Sequence, residues 1–149
     1  MKKKIFIWVF LWILILPLDI SSSESRREVT QEEAKQFIEE YIQRFMKLDL
    51  DPYMELFSKQ AIENRVLPYA DIEEAYRRTI QKTHSLLYNM TLYSIEPYTH
   101  SAFVRGRYEI VQRLKKKDRV VNLSGEIQFY LIRDNSFLKI REINYGKDW

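Results

Sequence analysis

The chain has 149 residues, 46% of them apolar and 14% aromatic, with 3 Gly, 4 Pro and no Cys. That composition is too apolar for a disordered protein, and without Cys neither disulfides nor thiolate metal sites can form. The formal charge is +3, and removing Lys2, Lys3, Lys4, Asp19 and Glu24 with the first 25 residues lowers it to +2, too mild to point to nucleic acid.

Residues 1–25 read as an export segment. Lys2, Lys3 and Lys4 precede an unbroken apolar run of 12 residues, Ile5 to Leu16, and Pro17 and the stretch Ser21-Ser22-Ser23-Glu24-Ser25 follow. A basic start, a short apolar run and a small-residue region make up a secretory signal peptide. The run falls short of the about 20 apolar residues that a spanning helix needs. Ser21 and Ser23 mark the expected cleavage region, and an uncleaved N-terminal anchor is the alternative. Either reading puts the remainder outside the cytoplasm, periplasmic or secreted, with membrane contact only through this segment if it is retained. The remainder, 30–149, suits one domain.

Thr30 and Glu33 form a capping-box pattern, and Ala34, Phe37, Ile38, Tyr41, Ile42, Phe45 and Leu48 then recur on one helical stripe. A helix is expected over 31–48. Asp51-Pro52 opens a short second helix with Leu50, Met54 and Phe57 as its buried residues, Pro being favoured at a first helical position. A third helix is expected from Asp71, with Glu74 as the capping partner and Ile72, Ala75, Tyr76, Thr79 and Ile80 on one face, ending near His84. The apolar period then changes to two, which predicts strands over 86–97, 101–115, 119–133 and 137–145. Their short connections, at Pro97-Tyr98-Thr99, Lys116-Lys117-Asp118 and Asp134-Asn135-Ser136, predict an antiparallel meander.

Three helices followed by long strands make an α+β layer fold. The long first helix, the segment Phe45-Met46-Lys47-Leu48-Asp49-Leu50-Asp51-Pro52-Tyr53-Met54-Glu55-Leu56-Phe57-Ser58 and the closing strand Phe137-Leu138-Lys139-Ile140-Arg141-Glu142 resemble the NTF2-like (SnoaL-like, cystatin-like) superfamily. The resemblance covers about 30–149 and is nearest to small NTF2-like domains of exported bacterial proteins. It implies a cone of three N-terminal helices packed on a curved antiparallel sheet of about four to five strands, with a pocket between the long helix and the sheet. Ketosteroid-isomerase-like members carry Asp and Tyr deep in that pocket, and no position here matches their motifs.

Strand alternation sorts the remaining side chains. Ala102, Val104, Gly106, Tyr108 and Ile110 share one face, as do Val121, Leu123, Gly125, Ile127, Phe129 and Leu131. In the last strand Leu138 and Ile140 share a face with Glu142 and Asn144, which therefore continue a core-facing row. Tyr41, Tyr76, Tyr108, Glu142 and Asn144 are the expected pocket residues, and a carboxylate beside buried tyrosines could act as an acid or base. Glu142, His84 and Tyr108 are the catalytic candidates, although His84 also suits a helix C-terminus and Glu142 a solvated rim. The opposite sheet face carries Arg105, Arg107, Arg113 and Arg141, either cross-strand ion pairs or a docking patch for anionic polymer, lipid headgroups or an acidic protein. Two His without matched carboxylate spacing give no metal signature; no nucleophile elbow or phosphate loop occurs, and no cofactor is implied.

The leading expectation is an exported, non-catalytic binding or protein-interaction module of the cell envelope, with a small apolar ligand or an envelope protein as partner. A small SnoaL- or ketosteroid-isomerase-like enzyme acting on an apolar molecule is the alternative, and a homodimeric scaffold the third.

Overall fold

The Thr30 hydroxyl accepts from the Glu33 backbone N–H at 3.1 Å and starts the first helix, α1, Gln31–Met46. The computed structural model describes residues 28–148. The export segment expected at 1–25 lies outside the described residues. Among the described residues no helix is long and apolar enough to cross a membrane. Ala34, Phe37, Ile38, Tyr41 and Phe45 of α1 are buried, which confirms the expected stripe.

Two further helices follow, α2 over Leu50–Met54 and α3 over Tyr69–Lys82. Neither has the cap expected from the sequence. The N-cap of α2 is Asp49, without a side-chain cap bond, and Asp51 lies in its first turn. The N-cap of α3 is Pro68, and Glu74 pairs with Arg77 and Arg78 rather than reaching back to the Asp71 backbone N–H. An acidic side chain in a first turn still favours the positive helix end, so Asp71 retains an electrostatic role there.

Among the described residues six strands form one sheet: β1 Phe57–Glu63, β2 Leu67–Pro68, β3 Thr83–Pro97, β4 Ser101–Leu114, β5 Val120–Asp134 and β6 Phe137–Tyr145. Their order is β2-β1-β6-β5-β4-β3. The last four make the expected antiparallel meander. The two N-terminal strands were not expected, and β1 lies parallel to β6. The hairpin joining β1 to β2 turns through Asn64 and Arg65, with φ of 49° and 63°, and the Val66 N–H donates to the Glu63 carbonyl at 3.1 Å. Positive φ at both central residues is the requirement of a type I′ turn, usually met with Gly. No Gly marks this one.

α1 lies across the inner face of the sheet. Tyr41 packs edge-on to Phe129 of β5, ring centroids 5.1 Å apart, and Phe45 stacks on Tyr53 of α2 at 4.9 Å. The inner rows of β4 and β5 are as the alternation predicts: Ala102, Val104, Phe129 and Leu131 are fully buried. Arg133, on the same row, reaches back to α1 and pairs with both oxygens of Glu33 at 2.7 and 2.8 Å.

Candidate functional site

β6 carries the main departure from the expected faces. Tyr130 of β5 pairs with Glu142, but the next residue, Leu131, pairs with Ile140, so Arg141 is an extra residue. A bulge of this kind reverses the side-chain alternation beyond it. Ile143 therefore takes the buried position, and Glu142 and Asn144 turn to the outer face with Tyr130 and Gln128. There the Asn144 amide donates to the Glu142 carboxylate at 2.7 Å. Neither residue lines the interior, which corrects their expected pocket position.

The same bulge directs the Tyr145 ring toward the inner face, though Tyr145 stays 39% exposed at the end of the strand. Its hydroxyl donates to Glu63 Oε1 at 2.7 Å. Glu63 ends β1, where it pairs with Ile143 and shares that residue's inward direction. It is only 2% exposed, and its second oxygen, Oε2, has no hydrogen-bond donor. Asn64 fixes the arrangement: its N–H donates to the Ile143 carbonyl and its side-chain oxygen accepts from the Tyr145 N–H, each at 2.8 Å. Burial pushes the Glu63 carboxyl above its ordinary value, and the Tyr145 and Tyr76 hydroxyls only partly offset this by favouring the anion.

Of these groups Tyr145 and Tyr76 line a cavity of about 170 Å³ between α1, α3 and the sheet, and Glu63 lies behind Tyr145 rather than in the cavity wall. Tyr41, Tyr76 and Tyr108 line it together with Phe45, Tyr88 and Tyr145, and aliphatic walls come from Leu86, Ile110, Leu123 and Ile127. Burial raises the Tyr41, Tyr76 and Tyr88 phenols well above their usual range, with repulsion from neighbouring tyrosines adding to it for Tyr41 and Tyr76. They stay protonated and can donate. The Tyr108 hydroxyl donates to the Gly146 carbonyl at 2.9 Å. That carbonyl crosses β5 so closely that a Cβ on Gly125 would lie 1.8 Å from it, so Gly is required at 125.

His84 is exposed at the start of β3 and takes no part in the cavity. Arg105, Arg107 and Arg113 occupy the outer face, each ion-paired: Arg105 with Glu96 at 2.9 Å, Arg113 with Asp118 at 3.5 Å, and Arg107 with Asp148 and with Glu126. Arg141 donates to the Gln60 carbonyl. Among the described residues no cluster of His, Asp and Glu could hold a metal. Glu63, Tyr88 and Tyr145 are the site residues that sequence reasoning missed. The inward spacing of Ala61 and Glu63 was the available signal, obscured by the irregular pairing between Phe57 and Ile62.

Solved structures share this fold. An NTF2-like superfamily protein from Salmonella enterica superposes with a TM-score of 0.69 at 18% identity, over 79% of this chain and 90% of that one. The fold is NTF2-like. A ketosteroid isomerase-like protein from Erwinia carotovora superposes with a TM-score of 0.66 at 14% identity, over 81% of this chain and 99% of that one. A hexachlorocyclohexane dehydrochlorinase gives a TM-score of 0.63 at 8% identity, over 79% and 84% of the two chains. No protein-family model and no curated protein matches the sequence. At these identities the likeness fixes the NTF2-like fold and leaves the chemistry to the residues.

Proposed function

We propose that this NTF2-like domain binds a compact, largely apolar small molecule in the cavity between α1, α3 and the sheet. The observation that carries the reading is a cavity of about 170 Å³ bordered by six aromatic side chains, two of whose phenols, Tyr41 and Tyr76, burial keeps protonated. An apolar body with a few converging polar groups is the usual make-up of a ligand site, and this one is smaller than the roughly 300 Å³ at the low end of such sites. The export pattern in residues 1–25 supports work outside the cytoplasm, and N-terminal sequencing of protein from the envelope fraction checks it: a start near residue 24 is expected.

A nuclear magnetic resonance titration with small aromatic and alicyclic compounds tests the binding reading. Shifts are expected at Ile110, Leu123 and Ile127, and Leu123→Phe, which fills the space, should abolish them. Shifts confined to the outer sheet face, or none, would overturn it.

A second reading, an acid–base enzyme, is favoured by one observation: Glu63 is a buried carboxyl of raised proton affinity, hydrogen-bonded to the cavity-lining Tyr145. It replaces Glu142 as the acid–base candidate, since Glu142 faces outward. Glu63→Gln should then keep ligand binding and lose turnover; unaltered turnover would remove the reading.

A further inference from the structure

The charge behind the cavity wall points to the cavity's occupant. Six aromatic residues border the cavity, Tyr41, Phe45, Tyr76, Tyr88, Tyr108 and Tyr145, and among the described residues no Lys, Arg or His does. Behind Tyr145 lies the Glu63 carboxylate, 2% exposed, with Oε2 unpartnered. The titratable groups acting on it are Tyr145 from β6 and Tyr76 from α3. β2, which pairs with Glu63 through Leu67, contains only Leu67 and Pro68 and adds no charge. The tyrosine hydroxyls favour the anion only in part and carry no positive charge, and their own loss of protons is opposed by burial. Glu63, when ionised, is thus a buried negative charge with no cation beside it among the described residues, a costly arrangement unless a cation arrives.

Resting on the reading of this cavity as a ligand site, we propose that it selects a compact organic cation of the alkylammonium class over neutral molecules of the same shape. A ring face attracts a cation within about 6 Å of its centroid, and six aromatic rings border this small space. The Glu63 carboxylate supplies the counter-charge from behind the hydroxyls. An anion meets repulsion there. A neutral occupant gains the ring contacts without relieving the buried charge.

The test compares choline with its neutral carbon isostere, in which carbon replaces the nitrogen, by titration of the protein while the cavity resonances of Ile110 and Leu123 are followed. At pH 8 choline is expected to bind about tenfold more tightly, the scale of a desolvated cation–π contact. The ratio should fall toward one as the pH is lowered and Glu63 takes up its proton. Glu63→Gln should bring the ratio near one at every pH while the isostere's affinity holds. Should that variant not fold, the pH dependence of the wild-type ratio carries the test by itself. An isostere that binds as well as choline, or a ratio that ignores pH, overturns the cation proposal and leaves the cavity reading standing. If neither compound shifts those resonances, and the aromatic and alicyclic panel also fails, both readings fall.

Discussion

Tyr145 and Glu63 meet across two strands that are far apart in the chain and parallel in the sheet, hydroxyl to carboxylate at 2.7 Å. Two local irregularities make the contact. The bulge at Arg141 turns Tyr145 inward, and the Gly-free turn at Asn64 and Arg65 brings the Asn64 side chain onto the Tyr145 N–H. Without the extra residue, Asn144 would face the core and Tyr145 would face water.

The pair makes stability depend on pH. A carboxyl whose proton affinity is raised by folding binds its proton more tightly in the folded state. Its contribution is therefore complete below the ordinary Glu range and is lost as the pH rises through the raised value. Urea unfolding between pH 4 and 8, a range set by the ordinary Glu value of about 4.3, should show Glu63→Gln gaining on the wild type as the pH rises. A constant difference would mean that Glu63 is as well solvated as an exposed Glu.

Arg133 gives the second prediction. Its side chain is 4% exposed and both its terminal nitrogens donate to Glu33. Glu33→Ala leaves a buried guanidinium without its carboxylate and should cost about 3 kcal/mol, because an unpaired buried charge is worse than no pair. The double variant Glu33→Ala, Arg133→Met should recover most of the loss in the same denaturation measurement. Equal destabilisation in the single and double variants would show that the arginine's packing, not its charge, is what matters.

The sequence was most legible where one periodicity ran unbroken. α1 and the four long strands fall within three residues of their expected limits because alternation and helical spacing persist over whole elements. β1 escaped because Phe57 and Ser58 are both buried and Lys59 and Gln60 both exposed, which hides a period of two. The cavity was half legible: Tyr41, Tyr76 and Tyr108 were placed by spacing alone. Glu63 and Tyr145 were not, since their meeting depends on a parallel pairing across about eighty residues and on a bulge that no residue type announces. The reading of Glu142 as inward failed for that same reason.

Core substitutions test the packing. Phe129 is fully buried against Tyr41, and Phe37 is buried on the α1 stripe. Truncating either to Ala should cost about 3–5 kcal/mol, the usual loss when a buried ring leaves a cavity. Against a domain stability of roughly 5–15 kcal/mol, Phe129→Ala should show a much lower unfolding midpoint with a nearly unchanged denaturant slope. A loss below about 1 kcal/mol would mean that the interior collapses around the gap.

The outer arginines decide whether the sheet's far face is a docking surface. Arg105, Arg107 and Arg113 are matched by Glu96, Glu126, Asp148 and Asp118, so the face presents alternating charge rather than a positive field. Exposed ion pairs of this kind contribute little to stability. Replacing Arg105, Arg107, Arg113 and Arg141 together by Gln should leave the melting temperature nearly unchanged. Retention of the wild type on anionic lipid vesicles at 0.1 M salt, where the Debye length is about 10 Å, should be weak and close to that of the variant. Strong retention by the wild type that fades both with salt and with the four substitutions would instead show that the paired carboxylates yield to a more anionic partner. That result would establish the face as an electrostatic docking site separate from the cavity.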